Sequence, residues 1–430
     1  MSSPISRPLI PEGVRDRLPR EAARMRRLAA RLADVFRAWG YREVVTPGFE
    51  YLETVTAGVG SLGRREDLYQ FFDRKGRTLA LRADMTTPIA RLAATKMAGE
   101  PLPLRLSYCA PVFRHRSGKT GSANEIWQSG IELVGATGAA ADAEVVAMAC
   151  AALAATGLRG FKVGLSHVDF VEGIFAAVGV EPSREVAMKE AMSARDLVTF
   201  EKGVREAGLP ADREELLLAM ATFQGTYEQA LVRFSSVGNL RVERALQQLG
   251  KTLALLSELG VAEQVSLDLG LSRLLGYYTG LVFEAYAPGV GSPLLGGGRY
   301  DHLLADFGGD APATGFALEM DRLISALERQ GQDAGEPSPD TVVECPAGRE
   351  AEAMGRAREL RAMGLVVVVD LLGRSGDALL AYARSVGAAR VVDADGATMT
   401  LATGLEDPVK LDPAREPGRR SRSVTYNPIH

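Results

Sequence analysis

An α+β fold is predicted, in which helices flank an antiparallel sheet that carries a helical insertion and is followed by a small C-terminal α/β domain. Three observations predict it. A long helical period precedes strand-like runs that pair as hairpins, helical patterns dominate residues 182 to 260, and a polar stretch without period, RQGQDAGEPSPD (329–340), separates these from a tail of alternating strands and helices. From Pro19 to Trp39 the apolar residues Met25, Leu28, Leu32, Val35, Phe36 and Trp39 recur at helical spacing with arginines between them, and Gly40 supplies the stop. REVVTPGFE (42–50) and TLALRAD (78–84) read as strands; in the second, Leu79, Leu81 and Ala83 face one way while Arg82 and Asp84 face the other. FFDRKGRTLAL reads as a hairpin turning at Lys75-Gly76, and Thr87-Pro88 as an N-cap with proline at the first helical position, opening PIARLAATKMA.

LRLSYCAPVFRHR and IWQSGIELVG are the halves of a second hairpin. Centred near Gly121, it sets Arg114 opposite Gln128, Val112 opposite Gly130 and Ala110 opposite Glu132. EELLLAMATF and RALQQLGKTLALLSELG are helices, SLDLG, GYYTGLVFEAY and PLLGGGRYD strands. Beyond the polar stretch come TVVEC, a helix over about 349–363, LVVVVD, a helix over about 376–386, and ARVVD. The expected division is a sheet domain over 1–328 with its helical insertion at about 182–260, a linker at 329–340, a small α/β domain at 341–405 and a tail at 406–430.

A chain of 430 residues with 46% apolar content supports two or three domains. Three cysteines lie far apart and four histidines form no cluster, so neither a disulfide framework nor a metal site is supported, and a reducing cytoplasm fits. No apolar run approaches about 18 residues, and MSSPISRPLIPEG lacks the basic-then-apolar order of a signal peptide, so a soluble, unexported protein is expected. The net charge of −4 offers no global attraction to nucleic acid.

Two motifs invite a nucleotide reading. Gly118-Lys119-Thr120 ends like a P-loop, but Phe113 stands where the first glycine belongs, and Gly, Lys and Thr are ordinary turn residues. GVGSLG (58–63) spells GxGxxG with Asp84 at a suitable distance for a ribose acid, yet it precedes a hairpin where a dinucleotide site needs a crossover helix. A nicotinamide dehydrogenase would rest on that stretch alone.

The second hairpin says more. Alternation puts Tyr108, Arg114, Gln128 and Glu132 on one face and Phe113, Trp127, Ile131 and Leu133 on the other. The charged face is either a solvated surface or, with bare Gly130 in its middle, the floor of a site for a zwitterion, which needs an acid for its ammonium and a cation for its carboxylate.

The succession REVVTPGFE, LALRADMTTP, SYCAPVFRHR…NEIWQSGIELVG, RLLGYYTGLVFEAY, LGGGRYD and ATGFALEMDRL resembles the histidyl-tRNA synthetase-like class II catalytic fold over about residues 8–326. The last 90 residues look like a shortened relative of that family's anticodon-binding domain. The family holds both synthetases and a non-aminoacylating regulatory subunit of ATP phosphoribosyltransferase. Departures point to the regulatory branch: Arg116 replaces an acid, SGKTGSAN supplies one cation where synthetases carry an arginine-rich loop, Arg273-Leu274-Leu275-Gly276-Tyr277-Tyr278 lacks the first glycine and the acid of the synthetase signature, and LRADMT carries Asp84. The resemblance implies a histidine pocket of Asp84, Thr86, Gln128, Glu132, Tyr278 and Tyr300, with Tyr277 alongside, Arg114 and Arg273 for the carboxylate, and glycines 296 to 298 allowing close backbone approach. Arg114 and Arg322 would be residual ATP-site cations. Tyr277 and Tyr278 also read as strand packing, and the glycines as a tight turn. No catalytic residue and no cofactor is implied. The implied partner is the short-form catalytic subunit of ATP phosphoribosyltransferase, with histidine as effector and this chain a homodimer within a hetero-oligomer. A divergent active histidyl-tRNA synthetase and a stand-alone histidine sensor are the alternatives.

Overall fold

The computed structural model describes residues 10–59, 67–115, 123–272, 277–332 and 338–401. The chain forms two compact units, Met1–Ala334 and Gly335–His430.

In the first unit α1 (Pro19–Ala38) precedes β1 (Arg42–Glu43), β2 (Phe49–Tyr51) and α2 (Leu52–Val59). The expected single strand over 42–50 is thus two short ones, broken where Pro47 removes a backbone donor. Next, β3 (Gln70–Phe72) and β4 (Thr78–Leu81) form the predicted hairpin, pairing Gln70 with Ala80 and Phe72 with Thr78, and Gly76 takes φ +76° in the turn. The strand expected to run to Asp84 ends at Leu81. Arg82 and Asp84 therefore do not share a strand face. Buried Arg82 donates to the carbonyls of Thr46 (2.9 Å) and Pro111 (2.7 Å), while Asp84 accepts from the Thr87 amide (2.7 Å) at the head of α3 (Thr86–Thr95). Thr87 sits inside that helix, so Asp84 performs the capping expected of Thr87.

The long hairpin is β5 (Leu104–Phe113) with β6 (Glu125–Val134). Its register differs from expectation: Ala110 faces Gln128, Tyr108 faces Gly130 and Leu106 faces Glu132. Each residue of β6 meets a partner four positions from the expected one, an even slip, so side chains keep their predicted faces. α4 (Gly138–Ala155), β7 (Lys162–His167) and α5 (Val168–Val178) follow. Then come α6 (Pro182–Ser193), α7 (Leu197–Glu206), α8 (Ala211–Thr222), β8 (Gln224–Gly225), α9 (Tyr227–Phe234) and α10 (Leu240–Glu258). The unit closes with β9 (Val265–Asp268), β10 (Leu281–Tyr286), β11 (Leu295–Arg299), β12 (Ala313–Glu319) and α11 (Met320–Arg329).

Among the described residues nine strands form the main sheet in the order β1-β5-β6-β12-β11-β10-β7-β9-β8, antiparallel through its centre, with β1–β5 and β7–β9 parallel. One face is core. Phe36 of α1 stacks edge-on against Phe316 at 6.1 Å, and Phe316 against Phe283 at 6.5 Å, among Leu32, Ile131, Leu165 and Leu318. α4 packs on this core with α1 and α10, and is the one described helix long and apolar enough to cross a bilayer; most of it is buried in the fold. On the opposite face, α3 covers the β5–β6 end through Met85, Ile89, Leu106, Tyr108 and Ile126, and the rest stays open as a cavity. The turn between α6 and α7 is held to the sheet by Arg195, which adopts φ +58° and bonds Asp268 at 2.8 Å.

The second unit has a four-stranded sheet, β14-β13-β15-β16, from β13 (Thr341–Val343), β14 (Val367–Val369), β15 (Arg390–Val392) and β16 (Thr398–Thr400), with α12 (Glu350–Ala362) and α13 (Gly376–Ser385) between them. β16 was not anticipated; it pairs antiparallel to β15.

A buried ion pair anchors the main sheet to α4: Arg299 at the end of β11 bonds Asp142 through Nε at 2.9 Å and the Ala136 carbonyl at 3.1 Å. Asp142→Ala leaves that buried guanidinium with the partly exposed Asp301, at 3.1 Å, as its carboxylate partner, and is expected to destabilise the chain by up to about 3 kcal/mol in urea melts, with most of the loss recovered in Asp142→Leu/Arg299→Met. A change within about 0.5 kcal/mol, as for a surface substitution, would show that the pair anchors nothing.

Candidate functional site

The open face of the sheet is a cavity of about 350 Å³, at the lower end of the roughly 300–1,000 Å³ typical of small-molecule pockets. Register explains why space exists there. Across the sheet Glu284 pairs with Gly296, Gly296 with Ala317, Ala317 with Gly130, and Gly130 with Tyr108, while Gly298 pairs with Gly315 and Gly315 with Glu132. These residues share one face, so the floor is tiled with small residues and its charges stand at the margins. A methyl group on Gly130 would overlap the Phe316 carbonyl and the Tyr108 hydroxyl, and one on Gly315 would overlap the Glu132 carboxylate. Gly298 is likewise pressed against the Tyr278 ring.

Asp84, Thr86, Arg114, Gln128, Glu132, Tyr277, Tyr278, Tyr300 and Arg322 all line this one cavity. Arg273 lies outside the described residues, as do Arg116, the Gly-Lys-Thr loop, most of GVGSLG and the tail beyond 401. Among the anticipated glycines, Gly296 lines the cavity. The tyrosines Tyr277 and Tyr278 precede β10 instead of lying in a strand; their rings pack at 4.8 Å, and Tyr277 meets Tyr300 at 5.6 Å, forming an aromatic wall. Sequence reasoning missed Ser193, Glu284, Pro293 and Glu319, which also line the cavity. An acid inside the apolar runs LVFEAY and FALEMDRL, at cavity-facing parity, was the available signal for the two glutamates.

The buried end of the cavity is acidic. Glu132 is almost wholly buried, accepting from Thr86 Oγ1 at 2.7 Å and from the Tyr300 hydroxyl. Burial pushes its carboxyl up to about 8, against the pull of those two hydrogen bonds, and Asp84 nearby adds to the rise. Burial also raises Asp84, opposed by its bonds from Thr87 and by the Arg114 charge. Tyr300 and Tyr108 are held well above the usual phenol range, first by burial and then by Glu132, so both stay hydrogen-bond donors. Beside these acids Gln128 Oε1 is buried and has no donor among the described residues. Arg114 is fixed by Nε donating to the Ala83 carbonyl at 2.7 Å.

Chemically, the cavity offers two buried acids and an unmet carboxamide oxygen to a ligand rich in N–H groups, with a guanidinium nearby for an anion. No group of three or more His, Cys, Asp or Glu side chains suited to a metal occurs among the described residues.

The histidyl-tRNA synthetase family model matches residues 13–323. An ATP phosphoribosyltransferase regulatory subunit from Symbiobacterium thermophilum is 64% identical over 392 residues, covering 91% of this chain and 98% of its own. One from Moorella thermoacetica is 42% identical over 381 residues, covering 88% and 96%. A solved structure described as an ATP phosphoribosyltransferase regulatory subunit/histidyl-tRNA synthetase from Bacillus halodurans superposes with a TM-score of 0.79 at 32% identity, over 91% of this chain and 98% of that one. With a synthetase-type sheet, a pocket of small-molecule size on its open face and this similarity along almost its whole length, the chain belongs to the histidyl-tRNA synthetase-like family of ATP phosphoribosyltransferase regulatory subunits.

Proposed function

We propose that this chain is a non-catalytic regulatory subunit that binds free histidine in the cavity and transmits its presence to a short-form catalytic subunit of ATP phosphoribosyltransferase, within a cytoplasmic hetero-oligomer built around its homodimer. The observation that carries the reading is the buried trio of Glu132, Asp84 and Gln128: the two acids are bonded by neutral donors and the Gln128 oxygen by none among the described residues, an arrangement suited to a ligand that brings a cation and N–H groups. Histidine supplies an ammonium and an imidazole N–H, and its carboxylate suits Arg114, with Arg273 as a second candidate cation. Thr86 and Tyr300 hold Glu132 in place, and Tyr277 and Tyr278 flank the ring. Regulation then follows if histidine binds one arrangement of the complex more tightly than another, because it can shift the equilibrium only by that difference.

Purified chain added to a short-form catalytic subunit is expected to restore phosphoribosyltransferase activity that free histidine inhibits. Histidine-dependent ATP–pyrophosphate exchange by the chain alone, at ordinary synthetase rates, would overturn the non-catalytic reading.

Protonation gives a second test. Empty, Glu132 holds its proton up to about pH 8, whereas an ammonium ligand favours the carboxylate, so binding releases a proton. Histidine affinity is expected to rise several-fold between pH 7 and 8 and level off above, read by calorimetry in buffers of different ionisation enthalpy. Glu132→Gln should weaken binding by about tenfold or more and abolish that rise; an unchanged pH profile would remove Glu132 from the site. The sign for stability is opposite. The folded state binds this proton more tightly than the unfolded chain, so the stability contribution is full at low pH and is lost as pH rises through about 8. The empty Glu132→Gln variant should gain stability relative to the parent above that pH.

A further inference from the structure

The outer end of the cavity holds Arg322 and Glu319, together with Glu284. Arg322 is a half-buried arginine on the first turn of α11, the position and side chain from which a pocket ordinarily grips phosphate. Two of its three nitrogens already have partners. Nε faces Glu319 Oε2 at 2.7 Å, and one terminal nitrogen donates to the Pro293 carbonyl at 2.7 Å. A guanidinium offers two edges for bidentate binding, one formed by Nε with a terminal nitrogen and one by the two terminal nitrogens. The carboxylate takes Nε, so the first edge is not open to an incoming phosphate, and the carbonyl holds one terminal nitrogen of the second.

Glu319 is placed there by the sheet. It ends β12 opposite Gln128, on the face that carries Ala317 and Gly315, so its side chain enters the cavity, and Arg322 follows it by three residues across the strand-to-helix junction. Glu284 stands on the same face two strands away, its carboxylate taking the Tyr286 hydroxyl at 2.5 Å. The described lining carries the acids Asp84, Glu132, Glu284 and Glu319 against the cations Arg114 and Arg322. Glu319 lies against Arg322, and Glu284 has Arg195 at 3.9 Å, so a polyanion arriving at the outer end meets carboxylates already placed on the nearby guanidiniums, a juxtaposition that rejects wrong ligands.

We propose that Glu319 is the specificity residue that makes this cavity refuse phosphate-bearing ligands: from within the chain, it occupies the place on Arg322 that a nucleotide phosphate would take. A compact zwitterion seated at the Glu132 end does not need that place. The inference rests on the reading of the cavity as an amino-acid site. It explains how such a site stays available beside a partner whose substrate is ATP.

The test is calorimetric titration of the full chain, its Glu319→Gln variant and the Glu319→Gln/Arg322→Gln double variant with ATP and, separately, with inorganic pyrophosphate in magnesium-free buffer. Glu319→Gln keeps size and hydrogen-bonding capacity while removing charge, and Glu319→Ala is the second variant should it melt early. ATP and pyrophosphate are expected to bind the charge-removed variant at least about tenfold tighter than the parent, a change equivalent to about 1.4 kcal/mol, and the double variant should lose the gain. Equal phosphate affinity in parent and folded variant, or a gain that persists without Arg322, would overturn the assignment. Titrating the parent with histidine in the same buffers separates the two readings: no histidine binding sinks the amino-acid site, whereas the phosphate comparison alone decides the role of Glu319.

Discussion

The site depends on one geometric constraint, the two-residue alternation of side chains held in register across β5, β6, β12, β11 and β10. β6, β12, β11 and β10 each send one set of residues into the Phe36, Phe283 and Phe316 core and the other toward the cavity, while β5 packs its apolar set with α3. A slip of one residue in any pair would exchange those sets and put Glu132 among the aromatics. The bare floor reinforces the constraint. Gly130 and Gly315 sit where a Cβ would strike the Phe316 carbonyl and the Glu132 carboxylate, so the register that buries the core also forces small residues under the pocket.

That arrangement makes the cavity electrostatically incomplete by itself. Burial of Glu132 and Asp84 disfavours their charged forms, and the Gln128 oxygen beside them has no donor among the described residues. Structural acids of this fold look different. Asp142 is also buried, but Arg299 is bonded to it, and Asp268 has Arg195 at 2.8 Å. The contrast separates anchoring pairs, matched by an opposite charge within the chain, from buried acids held by neutral hydroxyl and amide donors. At the outer end Arg322 already has partners within the chain, Glu319 and the Pro293 carbonyl.

Much of this was legible in the residues. Helical period located α1 to within a residue, and alternation assigned the right faces to Tyr108, Gln128 and Glu132 even though the pairing of β5 with β6 was misjudged. Faces survive because they follow from period alone, whereas register depends on how many residues the connecting loop consumes. Helix starts were harder to read. Asp84 and Thr87 are both capping residue types three positions apart, and only the path of the backbone after Leu81 brings the Asp84 carboxylate to the Thr87 amide. Glu284 and Glu319 escaped notice because an isolated acid in an apolar strand reads as an exposed residue until neighbouring strands show which face it joins.

By itself the sequence determined the order of elements, the amphipathic faces, the family resemblance and the set of side chains available for a zwitterion site, since each depends on spacing and residue type within one segment. Tertiary structure decided what needs several segments at once. It chose the register that leaves the floor empty, the burial that raises Glu132 up to about 8, and the closure of Arg322 by a glutamate three residues before it. Burial and partnership are properties of neighbours distant in the chain, and no local period encodes them.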